Sequence, residues 1–552
     1  MGEKYTIGID FGTLSGRAVL AAVSDGREIA SSVMDYPHAV ITETLPATGE
    51  KLPPNWALED PADYLAVLEH VIPDVIARSG VDKSSIIGVC ADFTCSTLLP
   101  ITADGTPLCF TERFRSHRSA YVKLWKHHAA QPYADRMNEI AARRGDDFLV
   151  PFGNKMSSEW MFPKLWQTLD EDPELYDAAD YFIEAGDWIN FLLTGKQTRG
   201  YLFAAFKSEY IPGRGYPPEE FFAECDERLR HIVRDKLNAP VIPNGSYAGS
   251  VSAGAAARFG LPEGIAVAAS LPDAHVAAPA LGVTRPGELF GVFGTSNCYF
   301  AVTEQFHNVP GICGCVLDAL VPGYYGTEAG LCCVGDHFAW VADNLTNAAD
   351  KAEADRLGLS PLKYLISKAA AKKPGETGLL ALDWWNGNRN VLVNGELTGV
   401  LIGLTLGTRA EDILRALIEA TAFGTRVIFD TMRAGGVKID SFTAAGGIAR
   451  KDPFTMQLYA DVLQMPISVV ASAQIPALGS AIYAAAAAGS RAGGYDSITD
   501  AAAAMKSSVI RVYTPDPEAG RVYDRLYAEY VRLHDYFGRG GNDVLMNLRK
   551  IR

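Results

Sequence analysis

At 552 residues the chain exceeds what a single hydrophobic core organises, so at least two domains are expected. Its composition is ordinarily globular, at 48% hydrophobic and 21% charged residues, and its net charge of -15 argues against nucleic acid or an anionic membrane as partner. The polar start from Met1 to Tyr5 carries no signal peptide, and no apolar run approaches the ~20 residues of a spanning helix, so a cytoplasmic protein is expected.

The first strong signal is Tyr5-Thr-Ile-Gly-Ile-Asp-Phe-Gly-Thr13 followed by Leu14-Ser-Gly-Arg-Ala-Val-Leu20. It reads as an apolar strand, a glycine-containing turn and a second strand. Gly12 lets the backbone turn tightly and approach a ligand closely. The turn amides, with the hydroxyls of Thr13 and Ser15, can donate to phosphate oxygens. Asp10, at the end of a buried strand, suits hydrated magnesium. Taken alone, the motif is equally a plain hairpin with an aspartate in its turn.

Helical apolar spacing follows over Pro61 to Ser79, then a buried strand over Ile86 to Asp92, and helical spacing again over Asp177 to Leu193. Asp273 lies in Ala268-Ala-Ser-Leu-Pro-Asp-Ala-His-Val-Ala-Ala278, at the end of an apolar strand with small neighbours that leave room for a ligand. Spacing by itself favours a helix-capping aspartate there, as Asp after Pro often is. The segment Gly282 to Gly287, with Pro286, reads as a domain boundary.

A related hairpin then appears at Glu288-Leu-Phe-Gly-Val-Phe-Gly-Thr-Ser-Asn-Cys-Tyr-Phe300. Phe-Gly-Thr recurs in the same strand–turn–strand context, which suggests internal duplication. In the second copy Val292 stands where the first has Asp10, so only the first can supply a carboxylate. Gly294, Thr295 and Ser296 form a second turn rich in hydroxyls and amides, and the two turns together could hold one nucleotide's phosphates. Beyond it come a long amphipathic helix over Arg409 to Met432, a strand over Asp440 to Ala445, and helices over about Asp452 to Leu463 and Pro476 to Ala488. At the turn Ala445-Gly-Gly447, close backbone approach would suit adenine and ribose, although a bare strand–helix connection reads the same way. Alternating strands and helices indicate α/β domains. The chain has no glycine-lysine-serine/threonine phosphate loop, no serine-hydrolase elbow and no paired-histidine zinc helix. Nine cysteines, an odd number, read as reduced thiols, and the spacing of Cys313, Cys315, Cys332 and Cys333 does not suit a structural zinc site.

In order along the chain these pieces resemble the FGGY family of carbohydrate kinases. Residues 5–20 are similar to the family's first phosphate hairpin, Met161-Phe-Pro-Lys-Leu-Trp166 to its N-domain signature, and Pro272 to Ala277 to the segment with the catalytic aspartate. Gly294-Thr-Ser296 resembles the second phosphate turn. Gly399-Val-Leu-Ile-Gly-Leu404 with Asp412 to Glu419 resembles the C-domain signature, and Ala445-Gly-Gly447 with Gln457 to Val462 the adenosine site. The stretches Asp92 to Thr97, Arg118 to His128, Lys207 and Gly326 to Gly330 are most similar to those family members that phosphorylate L-ribulose. Those members commonly carry Gln-Ser-Ala where this chain has Leu331-Cys332-Cys333.

The resemblance implies an α/β fold of two ribonuclease H-like (actin-like ATPase) domains flanking a central cleft. Residues 1–284 would carry sugar binding and the first phosphate hairpin, and 285–552 nucleotide binding with a helical extension at the C-terminus. It implies ATP and Mg2+ as cofactors and L-ribulose as substrate, in L-arabinose breakdown. Asp273 would be the base, with Cys95, Lys207 and Glu328 also on the sugar. Gly12, Thr13, Ser15, Arg17, Gly294, Thr295 and Ser296 would hold phosphates, Gly446, Gly447 and Gln457 the adenosine, and Asp10 the metal. A homodimer is compatible with the sequence. The alternatives are a kinase of D-ribulose, xylulose or glycerol, and an actin-like ATPase that acts on no sugar.

Overall fold

The segment Tyr5–Phe11 (β1) alternates Thr6, Gly8 and Asp10 on one face with Ile7, Ile9 and Phe11 on the other, and six of its seven residues are buried. A strand covered on both faces needs an element on each, and the chain supplies two helices. The computed structural model describes residues 2–551. It divides into two units, one comprising Met1–Thr284, Val316–Gly323 and Gln474–Ser507, the other Arg285–Cys315, Tyr324–Ala473 and Ser508–Arg552.

In the first unit β1 pairs antiparallel with Ser15–Ala22 (β2), which pairs antiparallel with Glu28–Asp35 (β3). On its other side β1 runs parallel to Ile86–Phe93 (β4). A second, smaller sheet contains Leu98–Ile101 (β5) and Tyr181–Glu184 (β6). The main sheet continues from β4 through Ala266–Ala268 (β7), and Leu271–Pro272 (β8) pairs with the end of β4. Helix Pro61–Ser79 (α1) is capped by Asp60, whose side chain accepts from the Ala62 amide, and stops at Gly80 in the left-handed region. Its Tyr64, Val67 and Val71 belong to the same core as Ile7, Ile9 and Phe11. Further along the unit, Met161–Glu171 (α2), Ala185–Thr194 (α3) and Tyr201–Ser208 (α4) build up the region beyond the strand ends.

The opposite face of β1 is covered by a helix from far along the chain, Ile475–Ala488. Its small side chains let it lie directly on the strands. A Cβ on Gly8 would stand 1.8 Å from the Ala477 carbonyl oxygen, and one on Gly88 would stand 2.7 Å from that of Ala484. The Thr6 hydroxyl donates to the Ala481 carbonyl at 2.8 Å. This corrects the expected division. The crossing falls at Thr284/Arg285, but residues 316–323 and 474–507 return to the first unit rather than staying with 285–552.

The second unit repeats the pattern. Glu288–Phe293 (β9) and Asn297–Thr303 (β10) form an antiparallel hairpin, β10 pairs antiparallel with Tyr325–Leu331 (β11), and β9 runs parallel to Ser441–Ala445 (β12). The sheet then extends to Ile467–Val470 and Val509–Tyr513. Each hairpin thus has an antiparallel strand beside its second strand and a parallel strand beside its first, while the second sheet adds Gly314–Leu317 beyond β11, which makes the repeated Phe-Gly-Thr structural as well as textual. Ala410–Ala434 (α5) and Pro453–Leu463 (α6) fill this unit's core together with Tyr299, Phe429 and Tyr459.

One expected helix differs. Residues 177–178 end the short helix Pro173–Ala178, and 181–184 are strand β6, because Tyr181, Phe182 and Ile183 suit a strand and find an antiparallel partner in β5. Helix α3 begins only at Ala185. None of the nine cysteines is in a disulfide, and among the described residues no group of three or more His, Cys, Asp or Glu is placed to hold a metal ion. No helix among them is long and apolar enough to cross a membrane.

Candidate active site

Parallel pairing of β1 and β4 sets Asp10 opposite Asp92, and antiparallel pairing of β1 and β2 sets it opposite Arg17. Strand β8 places Leu271 opposite Asp92 and Pro272 opposite Phe93, so Asp273 emerges next to the same row. Its backbone N–H donates to the Phe93 carbonyl at 2.9 Å. Asp10, Asp92 and Asp273 are thereby gathered at the ends of three adjacent strands. Arg17 Nε approaches Asp10 Oδ2 at 3.5 Å, and Arg17 Nη2 donates to Ser15 Oγ at 2.9 Å.

Burial dominates the chemistry of this row. Asp10 is 4% and Asp92 0% exposed. Burial raises the Asp10 carboxyl above its usual range, with the Arg17 guanidinium opposing. Burial and then the charge of Asp10 push Asp92 well up, against a hydrogen bond from Ser480. Two adjacent carboxyls in the interior disfavour each other's ionisation, and Asp92, with no guanidinium opposing, is raised further than Asp10 beside Arg17. Ser480 Oγ donates to Asp92 Oδ2 at 2.7 Å, which ties the row to helix Ile475–Ala488. Neither Asp92 nor Ser480 was singled out as a site residue from sequence.

Asp273 differs from its neighbours in being only half-buried. Its Oδ1 accepts from the Ala274 amide at 2.8 Å. The short helix that follows, Ala277–Ala280, has Val276 at its N-cap, so Asp273 does not cap it. The ring of His275 lies against Phe206 with centroids 4.7 Å apart, bringing the helix that bears Lys207 next to the Asp273 turn. Lys207, also half-buried, has its ammonium 5.8 Å from the Trp160 ring. Cys95, half-buried, lies in the connection between β4 and β5, where Ser96 adopts φ +64°.

The two hairpin turns are alike in one telling respect. Neither Gly12 nor Gly294 has a left-handed φ, and a Cβ on either would find only ordinary contacts, with Ser15 O at 3.4 Å and Ser296 O at 3.7 Å. The turns themselves do not demand glycine there, so the expectation that Gly12 serves a tight turn is corrected; room beside the backbone is what remains. The Gly12 amide donates to Ser15 O at 3.0 Å, and Thr13 Oγ1 accepts from Trp125 Nε1 at 3.1 Å. In the second unit Thr295 is exposed at its turn, while its carbonyl accepts from the Val334 amide at 2.8 Å. Glu328, half-buried on β11, is paired in register with Phe300. Gly446 has φ +99° and lies so near the end of β9 that a Cβ would meet Phe293 O at 2.3 Å, whereas Gly447 has nothing within 4 Å. Gln457 Nε2 donates to Asp461 Oδ1 at 2.8 Å and to the Thr514 carbonyl at 2.9 Å.

Asp10, Gly12, Thr13, Ser15, Arg17, Cys95, Lys207 and Asp273 therefore all lie in the first unit, and Gly294, Thr295, Ser296, Glu328, Gly446, Gly447 and Gln457 in the second.

Residues 289–488 match the C-terminal domain of the FGGY family of carbohydrate kinases. A ribulokinase of Geobacillus thermodenitrificans is 49% identical over 549 residues, which span 100% of this chain and 97% of that one. The chain belongs to this family. A ribulokinase of Bacillus licheniformis is 48% identical over 539 residues, covering 98% of each chain. Among solved structures, the FGGY chain is similar to a xylulose kinase from Rhodospirillum rubrum, at TM-score 0.77 and 25% identity over 96% of this chain and 98% of that one. A glycerol kinase from Plasmodium falciparum, solved with ADP, gives TM-score 0.72 at 16% identity, again over 96% and 98%. These likenesses place both units in the actin-like ATPase fold.

Proposed function

We propose that this FGGY kinase transfers the γ-phosphoryl group of ATP to ribulose, the L-isomer first, giving ribulose 5-phosphate and ADP for L-arabinose breakdown. The observation that carries the reading is Asp273. It is a half-buried carboxylate beside the buried Asp10–Asp92 row, it caps no helix, and it sits in a chain similar along its whole length to proteins named ribulokinase.

Asp273 accepts the proton of the attacking hydroxyl as the new oxygen–phosphorus bond forms and the bond from phosphorus to the bridging oxygen breaks, leaving ADP. Lys207, Glu328 and Cys95 are the proposed sugar contacts; a neutral polyol is held by several fixed polar partners rather than by one large charge. Thr13, Ser15 and Arg17, with the space left by Gly12, are proposed on phosphate, as are Gly294, Thr295 and Ser296. Gly446, Gly447 and Gln457 are proposed around the adenosine. The donors near Asp10 are carboxylate and hydroxyl oxygens, which suits a hard cation such as Mg2+ held chiefly by water and by the phosphates themselves. When bound, the ion neutralises charge on the β- and γ-phosphates. Asp10 would hold it through its hydration shell, with Arg17 limiting the charge that Asp10 presents.

ADP release measured with L-ribulose, D-ribulose, D-xylulose and glycerol tests the reading. L-ribulose should give the highest kcat/KM, with D-ribulose second. A higher value for glycerol or D-xylulose would reject the ribulose assignment and leave the family unaffected.

A further inference from the structure

The connection between β4 and β5 carries Cys95, and its shape is held by a charge buried underneath. Lys164, on α2, is 0% exposed. Its ammonium donates to three backbone carbonyls, Ser96 at 2.6 Å, Leu124 at 2.9 Å and Lys123 at 3.3 Å, which uses all three donors. From the other side Glu184 Oε2 accepts from the Thr97 amide at 3.0 Å, and the Ala185 amide donates to the Thr97 carbonyl at 2.8 Å. Thr97 Oγ1 closes the loop on itself by donating to the Thr94 carbonyl at 2.8 Å. Ser96 is held at φ +64°, a conformation a side-chain-bearing residue adopts only when its surroundings impose it.

Burying an ammonium is expensive, and an apolar side chain of similar length would fill this space at lower cost. A charge retained here therefore points to geometry rather than stability. Burial lowers the Lys164 ammonium to about 7, with Glu184, Glu159 and Cys95 opposing, and Lys207 also bears on it. Lys164 is thus within electrostatic reach of two of the proposed sugar contacts. A second buried lysine supplies a contrast. Lys123 donates to Thr168 Oγ1 at 2.7 Å, Gln167 Oε1 at 3.1 Å and the Lys164 carbonyl at 3.4 Å, so these three hydrogen bonds all go to α2 and none to the Cys95 loop.

We propose that Lys164, braced by Glu184, is a positioning residue for the sugar: by holding the Ser96 carbonyl it sets where the Cys95 loop stands against the substrate. This rests on the reading above that Cys95 and Lys207 face the sugar.

The test compares Lys164→Met, Lys164→Met combined with Glu184→Gln, and Lys123→Met, using L-ribulose and ATP in steady-state assays and thermal melts. Lys164→Met should lower kcat/KM for the sugar by about 10- to 100-fold, the cost of a misplaced contact, with the KM for ATP within about twofold of wild type. Lys123→Met should lose comparable melting temperature while keeping sugar kcat/KM within about twofold. The double variant removes both buried charges, so it carries the kinetic comparison if the single variant does not fold. Failure of both to fold would make Lys164 a folding residue and overturn the proposal. So would an unchanged sugar kcat/KM, or an equal rise in KM for ATP. Lys207→Met separates the two readings: if it leaves sugar kinetics unchanged, the site assignment falls first; if it impairs them and Lys164→Met does not, only the positioning role falls.

Discussion

Asp273→Asn is the most direct perturbation of the proposed chemistry. The Asp273 side chain accepts from the Ala274 amide at 2.8 Å, and an asparagine oxygen preserves that bond. The backbone bond to Phe93 is untouched. Since Asp273 caps no helix, the stability change should stay at about 1 kcal/mol or less. The hydroxyl to be phosphorylated, by contrast, loses its proton acceptor. Turnover should fall about 100- to 10,000-fold, equivalent to roughly 3–5 kcal/mol of barrier. KM for ATP and sugar should move far less, because the loss is concentrated in the transition state. The measurement pairs coupled ADP release with a melt of the same preparation. A folded variant with near-normal turnover would remove Asp273 from the mechanism, and loss of the folded state would show that the carboxylate is structural.

Three further outcomes follow from the two units. Thr13→Val and Thr295→Val should each raise KM for ATP, the first also leaving Trp125 Nε1 without the oxygen it donates to at 3.1 Å, while sugar affinity without nucleotide stays constant; unaltered ATP kinetics in both would return these turns to structure alone. Gly8→Ala should destabilise the protein by about 3 kcal/mol, since the added methyl would meet backbone of helix Ile475–Ala488 at 1.8 Å; a melting temperature equal to wild type's would contradict that packing. Glu59, 1% exposed and bonded by the Tyr64 hydroxyl, is raised from 4.5 to about 8, chiefly by burial, so the folded state binds a proton the unfolded state releases and stability declines as pH climbs from about 4.5 to about 8. Glu59→Gln should therefore gain on wild type across that window in denaturant titrations, and a constant difference between the two at every pH would refute the assignment.

What could be read beforehand was local. Phe-Gly-Thr at 11–13 and 293–295 marked two hairpins, and each has a parallel strand beside its first strand and an antiparallel strand beside its second. Helix α1 runs as its apolar spacing required. The return of Ile475–Ala488 to the first unit was not legible, because it is a contact between residues more than 380 positions apart, as Ser480 with Asp92 shows. Its only trace is Gly8 and Gly88, glycines in strands that otherwise favour branched side chains, each placed where a helix backbone comes within contact distance. The site divides along the same line. Asp10, Asp92 and Lys164 each break an apolar run, in Tyr5-Thr-Ile-Gly-Ile-Asp10, Ile86-Ile-Gly-Val-Cys-Ala-Asp92 and Met161-Phe-Pro-Lys164. A lone charge in such a run is costly to bury and so carries information even without a partner in view. Register decides which of these charges meet. A shift of β4 by one residue against β1 would turn Asp92 to the opposite face and dissolve the carboxyl pair. The residues the motifs marked stand on buried polar groups the motifs did not explain: Asp92, opposite Asp10 in register, and Lys164, whose ammonium holds the Ser96 carbonyl beside Cys95.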